Sequence, residues 1–448
     1  MKFKLSLLFL LLFTTGQINA GGDPEVPTQE EWAQAMLSAV GSSGPRLNQM
    51  IRALAAYCGS SADNYFNGLD GNCDGLYNAG LNGNGTVIRR VLRRLRPREV
   101  VQSARTSAEI VATQQANIAT RMAQVRNGVG NSFAGLSLEN QGEILPFGLL
   151  TYLDEGDSNV DGLSSPWGFF INGQISSGDF KYADAQDEGF DFDTNGLTAG
   201  IDYRFNDKTV AGLAIGYANF DSDIAEDAQM QSTSLTYSAY GSFNFNENYY
   251  IDVRASSGNP EFEQNRLINF IIDGEQTDRM ALGETDGSQQ SFILSTGYQF
   301  NNKGWQFTPS ASYEYSKSKV DAFVESQAGA WNVGYSEQNF KTSRLTLGFQ
   351  VNKAMSLKNG VLIPSMGYSY INESQNGDDF IKMRVSGMPP GEFFLVETGF
   401  NDENYSSVNL GLAFVSSGGK QAFIQYSEVF GWDGFDRGTL SLGARFEF

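Results

Sequence analysis

The chain contains no histidine. That absence removes a Ser-His-Asp triad, a Cys-His dyad and any histidine-ligated metal from consideration. Basic residues are sparse as well: 31 Lys and Arg stand against 51 Asp and Glu, a net charge of −20. Nucleic acid is therefore not an expected partner, because its affinity comes from clustered cations. Beyond the first twenty residues, no apolar run approaches the roughly 18 residues that a spanning helix needs. Cysteine is limited to Cys58 and Cys73. What the chain has in quantity is glycine and aromatic residues, with 50 Gly, 33 Phe and 19 Tyr among 448 residues. That composition suits β-structure with many turns.

The residues from 166 to 448 read as a ladder of amphipathic strands. Leu213, Ile215 and Tyr217 alternate with Gly212, Ala214 and Gly216; Trp305, Phe307, Ala311, Tyr313 and Tyr315 alternate with polar neighbours. A period of two gives each strand one apolar and one polar face. Two architectures share that pattern: a soluble sandwich, and a membrane barrel with an apolar exterior and a wet lumen. Connection lengths favour the barrel. Short turns at 206–208, 246–248, 301–304, 356–360 and 416–419 alternate with long polar stretches at 179–189, 221–230, 267–287, 321–339, 372–401 and 431–437. That asymmetry predicts an all-β membrane barrel of twelve antiparallel strands. Phe205, Phe245, Tyr249, Tyr250, Phe300 and Trp305 cluster beside the short turns, where an interfacial girdle belongs. Pro309 and Pro364 fall inside predicted strands and are expected at rim or bulge positions.

Residues 1–20 read as a signal peptide, with Lys2 and Lys4 before an apolar stretch and Ile18-Asn19-Ala20 at the cut. Export and a barrel together place the chain in a bacterial outer membrane, with lipid and lipopolysaccharide as its surroundings. Residues 21–96 form a small helical domain that contains both cysteines; in an oxidising compartment a Cys58–Cys73 disulfide is the default. Asp70, Asn72 and Asp74 follow the D-x-N-x-D-G pattern that begins a calcium loop, but Leu81 stands where the bidentate Glu belongs. The bland reading is a polar turn beside the disulfide. No other cofactor is indicated. Arg89, Arg90, Arg93, Arg94 and Arg96 form a basic run, either a solvated face or a contact with an acidic pore mouth.

Residues 98–127 lack Gly and Pro, and Gly128 supplies a helix stop. Ala104, Ala108, Ala112, Ala116, Ala119 and Ala123 are interleaved with Ser, Thr, Gln and Asn, so no face is strongly apolar. Such a helix must fill a wet space, and at 1.5 Å per residue about 30 residues reach across a bilayer. The expectation is a helix threading the pore (97–128), with Arg105, Arg121 and Arg126 facing lumenal acids such as Glu314 or Glu447. Residues 129–165 read as a connecting loop. Gly156-Asp157-Ser158-Asn159 matches the nucleophile block of the G-D-S-L esterases, but no catalytic histidine exists to serve it.

From about residue 96 onward the chain resembles the autotransporters of type V secretion. The resemblance is carried by Arg121 to Gly128 closing the helix, Pro166-Trp167-Gly168, Phe190 to Gly196, Gly200 to Phe205, Gly212 to Asn219 and the terminal Arg445-Phe446-Glu447-Phe448. It implies a twelve-stranded translocator whose pore is plugged by the preceding helix once an N-terminal passenger has reached the cell surface. The passenger here would be residues 21–96, far shorter than is usual. The resemblance also implies that the passenger is not released by asparagine self-cleavage, since Ala116 precedes Asn117 where the serine-protease members carry paired asparagines. Ser441, Gly443, Phe446 and Phe448 resemble the β-signal that barrel-assembly machinery reads on a closing strand, with periplasmic chaperones as earlier partners. Three functions compete: surface display without chemistry, a porin-like channel with a helical plug, and an enzyme in residues 21–96. The last lacks a base and room for a deep pocket. The surface ligand is not legible.

Overall fold

The computed structural model describes residues 26–41, 45–95, 98–126, 137–140, 143–146, 167–180, 189–206, 208–224, 228–246, 248–378, 380–386, 393–397, 403–416, 421–432 and 434–445. The signal-peptide reading, the Gly156–Asn159 block, Glu447, Phe446 and Phe448 lie outside them, as do the side chains of Arg105 and Arg126.

Five helices come first: α1 (Gln29–Val40), α2 (Pro45–Cys58), α3 (Ala62–Leu81), α4 (Gly85–Arg94) and α5 (Arg98–Arg126). A two-stranded hairpin, β1 (Ser137–Asn140) and β2 (Glu143–Pro146), follows within the stretch read as loop. Then come β3 (Trp167–Phe180), β4 (Phe190–Asn206), β5 (Thr209–Ile224), β6 (Ala228–Asn244), β7 (Tyr249–Ile272), β8 (Glu275–Tyr298), β9 (Phe300–Asn302) and β10 (Trp305–Val320). Next are β11 (Phe323–Val324), β12 (Val333–Tyr335), β13 (Gln338–Lys353), β14 (Met355–Leu357), β15 (Gly360–Gly377), β16 (Phe380–Val385) and β17 (Phe394–Glu397). The chain closes with β18 (Glu403–Ser416), β19 (Gln421–Phe430) and β20 (Phe435–Arg445).

Each long strand pairs antiparallel with the next, β20 pairs with β3, and β13 joins β15, so the sheet closes on itself. The ring has twelve long strands; β9 and β14 are short pieces beside the turns. Each described strand of the ring has a neighbour on both sides, which is what a sheet in lipid requires. The alternation resolves as a barrel's must: Ile171, Leu197, Leu213, Tyr217, Leu347 and Leu410 face outward and are exposed, while Thr198, Asp202, Thr236 and Thr308 are buried inside. Phe205, Phe245, Phe300 and Trp305 sit outward at the short-turn end. Tyr250 departs from the expected girdle. It follows Tyr249 directly, so the pleat turns it into the lumen, where it is buried. Both prolines sit where only one neighbour needs an N–H. Pro309 pairs with Phe349, while pairing to β8 starts at Ser310; Pro364 pairs with Leu412, while pairing to β13 stops at Ser365.

The long polar stretches are not plain loops. Residues 267–287 lie in β7 and β8, which run 24 residues each and rise beyond the barrel as a two-stranded arm. Residues 321–339 and 372–401 contribute β11, β12, β16 and β17 to a separate four-stranded sheet. A period-two pattern in a hairpin outside the membrane has polar residues on one face, which is why these stretches read as loops.

The Gly/Asn-rich stretch at 64–86 is helical too. Cys73, Leu76 and Ala79 are buried at helical spacing in the second half of α3, and Tyr65 and Leu69 are buried before it. Gly68 to Gly71 break the helix, with Leu69, Asp70 and Gly71 at φ of 53°, 57° and 84°. Gly71 suits that left-handed run; Leu69 is held there by complete burial. A capping box of Thr28 and Glu31 starts α1. Cys58 is joined to Cys73 between α2 and α3, and the Trp32 indole N–H donates to the Cys73 carbonyl at 3.1 Å.

Candidate functional site: the filled pore and its cap

Helix α5 runs inside the barrel, from the long-loop end at its N-terminus to the short-turn end. Its contacts lie mainly on β3 to β6. In its first half Glu109, buried, forms an ion pair with the half-buried Arg437 of β20. Near its end Arg121 clasps Asp202 of β4 in two parallel bonds, Nε to Oδ2 at 2.6 Å and the terminal nitrogen to Oδ1 at 2.9 Å. Tyr240 of β6 donates to the same carboxylate at 3.0 Å, and the guanidinium lies over the Phe170 ring. Both partners are almost wholly buried, so the fork geometry is what offsets the loss of water.

Amides fill the span between these pairs. Gln115 donates to Ser256 at 2.7 Å and to Ser291 at 2.8 Å, and Arg254 of β7 donates to the Gln115 carbonyl at 2.9 Å. Asn117 donates to Thr198 at 3.2 Å, Thr198 donates to Gln114 at 2.8 Å, and Asn172 donates to the Asn117 carbonyl at 2.9 Å. The wall is glycine where the helix comes closest. A Cβ on Gly196 would lie 2.5 Å from the Thr113 methyl, and one on Gly216 would overlap the Gln114 amide.

The helix is less uniformly polar than its composition predicts. Ile110 is buried in an apolar collar inside the long-loop end, among Phe192, Phe220, Met230, Phe262 and Phe435. Ile118 and Met122 pack on Phe170, Ala214 and Tyr240 lower down. These three side chains are spaced at multiples of four residues; with Val111 as the one other large apolar residue between them, they are too few to register as a face. Hairpin β1–β2 fills the other side of the lumen, between α5 and strands β10, β13, β18 and β19.

The expected lumenal partners change. Glu314 binds Arg344 at 3.1 Å, and Arg344 also binds Glu373 at 2.9 Å, all within the wall. Adjacent strands bring those charges together, so Glu314 has its partner within the wall. Asp202 carried a signal in the sequence, an acid at a lumen-facing step of a period-two strand, but nothing local named its partner 81 residues away. On the closing strand, Ser441 lies opposite Gln425 and Gly443 opposite Phe423.

Helices α1 to α4 sit on the long-loop mouth, and their core runs without a break into the arm and the loop sheet. The three side chains of the calcium-like pattern each have another partner. Asp70 pairs with Arg279 of β8, Asn72 donates to the Leu69 carbonyl at 2.8 Å, and Asp74 accepts from the Gly75 N–H at 2.8 Å. Among the described residues no three His, Cys, Asp or Glu side chains group as metal ligands. In the basic run, Arg89 donates to the Val40 carbonyl at 2.7 Å, which ties α4 to α1 rather than to a pore acid. Arg90 and Arg93 are exposed.

The family model described as autotransporter beta-domain matches residues 169–427. Esterase EstA of Pseudomonas aeruginosa is 24% identical over 253 residues, which is 55% of this chain and 38% of that protein. The chain thus spans under two fifths of that relative's length. Among solved structures, the translocator domain of autotransporter NalP from Neisseria meningitidis aligns with a TM-score of 0.48 at 15% identity, covering 67% of this chain and 92% of that one. The beta domain of the Bordetella autotransporter Brka aligns with a TM-score of 0.46 at 16% identity, covering 63% and 100%.

Proposed function

This chain belongs to the autotransporter family, whose β-domain lies in the Gram-negative outer membrane, and from that premise we propose that the barrel delivers residues 21–96 to the cell surface and holds them there. The observation that carries the reading is the helical domain at the long-loop mouth together with α5 in the lumen below it. Outer-membrane barrels turn their long loops to the cell exterior and their short turns to the periplasm, so the mouth that carries the domain is the outer one. Arg121–Asp202 and Glu109–Arg437 hold the linker at two levels of the lumen. Passenger and barrel stay in one chain, since Ala116 stands before Asn117.

A conducting channel is the weaker reading, because α5 and hairpin β1–β2 share the lumen. An enzymatic passenger is the alternative that the EstA relation raises. The chain has no imidazole base to activate a serine, and the helical domain buries its own apolar side chains in a continuous core, so display without chemistry is the function we assign. Lipopolysaccharide around the apolar belt, periplasmic chaperones before insertion and the assembly machinery at Ser441 to Phe448 complete the proposed partners.

The test is an epitope inserted after Gly83, a turn with open space around it. Antibody should label intact cells. Labelling only after the outer membrane is broken would overturn the reading. In planar bilayers the full chain should conduct little, and a chain lacking residues 98–126 should conduct more.

A further inference from the structure

The loop sheet is too small to stand alone. Strands β11, β12, β16 and β17 have 2, 3, 6 and 4 residues, and sheets of that size are marginal without something packed on them. Yet Val333, Tyr335, Ile381, Met383 and Val385 are all buried, on one continuous core with the helical domain. Uncovered, they would form an apolar patch that soluble surfaces rarely expose. The arm supplies the rest of the seat: Phe270 meets Trp331 edge-on at 4.9 Å, and α4 lies along β7.

A polar network spans the seat. Arg266 of the arm binds Glu325 of the loops at 3.1 and 2.5 Å, with both side chains buried. Glu325 also accepts from the Val333 N–H at 2.9 Å and the Tyr335 hydroxyl at 3.0 Å. The same guanidinium donates to the Trp331 carbonyl at 3.2 Å and to the Arg94 carbonyl at the end of α4. One buried cation thus ties the arm, the loop sheet and the last turn of the helical domain together.

Gly75 identifies the contact as a built one. It lies inside α3 with ordinary helical backbone, where alanine would serve the helix better. A Cβ there would stand 2.5 Å from the Ile272 Cγ2 at the tip of the arm. The close approach of the arm, not the helix itself, accounts for the glycine.

We propose that the arm and loop sheet are a receptor for the chain's own helical domain, and that the loop sheet keeps its fold only while the domain is seated. The domain is then a docked lid over the plugged pore rather than a passenger swinging on a tether. The proposal rests on the reading of residues 21–96 as the displayed passenger. It is tested on purified protein, whereas display is tested on cells, so either can fail alone.

The experiment is hydrogen exchange of the full chain in detergent micelles, comparing wild type, Gly75→Val, and Gly75→Val with Ile272→Ala. Wild type should protect the amides of Val333–Tyr335 and of Phe380–Val385. Gly75→Val should speed their exchange by about tenfold or more, while α1, the remainder of α3 and the barrel strands keep wild-type rates. Adding Ile272→Ala should restore protection, because it empties the space that the valine takes. Unchanged protection of the loop sheet in Gly75→Val would overturn the proposal. So would loss of protection throughout α1 to α3, or failure of Ile272→Ala to rescue, since each would place the need for glycine within the helical domain.

Discussion

The barrel is closed by two intramolecular contacts of opposite chemistry. In the lumen, α5 is held by amides, hydroxyls and two ion pairs against a wall with glycine at its closest approaches. At the mouth, the helical domain is held mainly by buried aliphatic and aromatic side chains against the arm and loop sheet, with Arg266 and the Asp70–Arg279 pair beside them. The reason for the difference is the membrane. A barrel whose outer face is apolar must put its polar residues inward, so anything that fills the lumen meets hydrogen-bonding groups. Each such bond contributes only about 0.5–1.5 kcal/mol net, and its direction rather than its strength selects the resting position. Above the membrane that constraint ends, and the arm can turn Ile268, Phe270 and Ile272 inward. Apolar burial there contributes about 25 cal/mol per Å² and is indifferent to small shifts. The lumen therefore sets register, and the mouth sets adhesion.

The largest effect should come from breaking the lumenal side. Arg121→Ala leaves Asp202 buried without its cation, at a cost of about 3–5 kcal/mol. Bilayer conductance should rise and α5 amides should exchange faster, with the cap's own helices unchanged. Arg121→Ala combined with Asp202→Ala should be milder than Arg121→Ala alone. If the single variant conducts like wild type, the ion pair does not hold the plug.

The next effect breaks the other side. Cys58→Ser removes a bridge between residues 15 apart, worth about 3 kcal/mol on a chain-entropy account. Exchange in α1 to α3 should accelerate, while heat-modifiable mobility of the barrel on gels stays as it was. A barrel that no longer assembles would show that the two regions are not separable.

A smaller effect sharpens the lumenal account. Gly216→Val drives a side chain into the Gln114 amide, and overpacking of this kind costs about 1–3 kcal/mol. The expected readout is faster exchange around Gln114 and Thr198, with Leu213→Val on the lipid face of the same strand as a silent control. Equal behaviour of the two would mean that the helix does not press on the wall.

The smallest effect belongs to pH at the cap. Glu31 accepts from the Thr28 backbone N–H and hydroxyl, which hold its carboxyl below the ordinary value of 4.5. Because the folded form has the lower pKa, the stabilisation is present above the ordinary value and is lost as pH falls through and below it. Helix ellipticity in thermal melts should therefore drop slightly sooner below pH of about 4. A Glu31→Gln chain should lack that part of the pH dependence, and an identical slope in both chains would remove the capping box from the account.

Much of the barrel was legible because its signals are local. Short turns, long stretches and the period of two each occupy a few residues, and twelve strands followed from counting them. The pore helix was legible for the same reason, through the absence of Gly and Pro from 98 to 127. Its partners were not. Glu314 was the more obvious acid, yet Arg344 takes it from the adjacent strand, and which acid remains for Arg121 depends on how the ring closes. In the helical domain, Gly68 and Gly71 mark a real break in α3, whereas Gly75 and Gly80 lie within its second half because Ile272 and the α1 backbone come too close for a Cβ, which no local signal shows.

By itself the sequence determined that this chain makes a closed barrel with a helix inside it. Alternation and helix continuity are properties of contiguous residues, and lipid admits no other way to satisfy the backbone of such strands. Only the tertiary structure decided that the helical domain rests on the barrel's own loops. That seat is made from pairs such as Gly75 with Ile272 and Arg94 with Arg266, the latter 172 residues apart. Packing of this kind depends on which surfaces the fold brings within a few ångströms, and no periodicity in either partner records it.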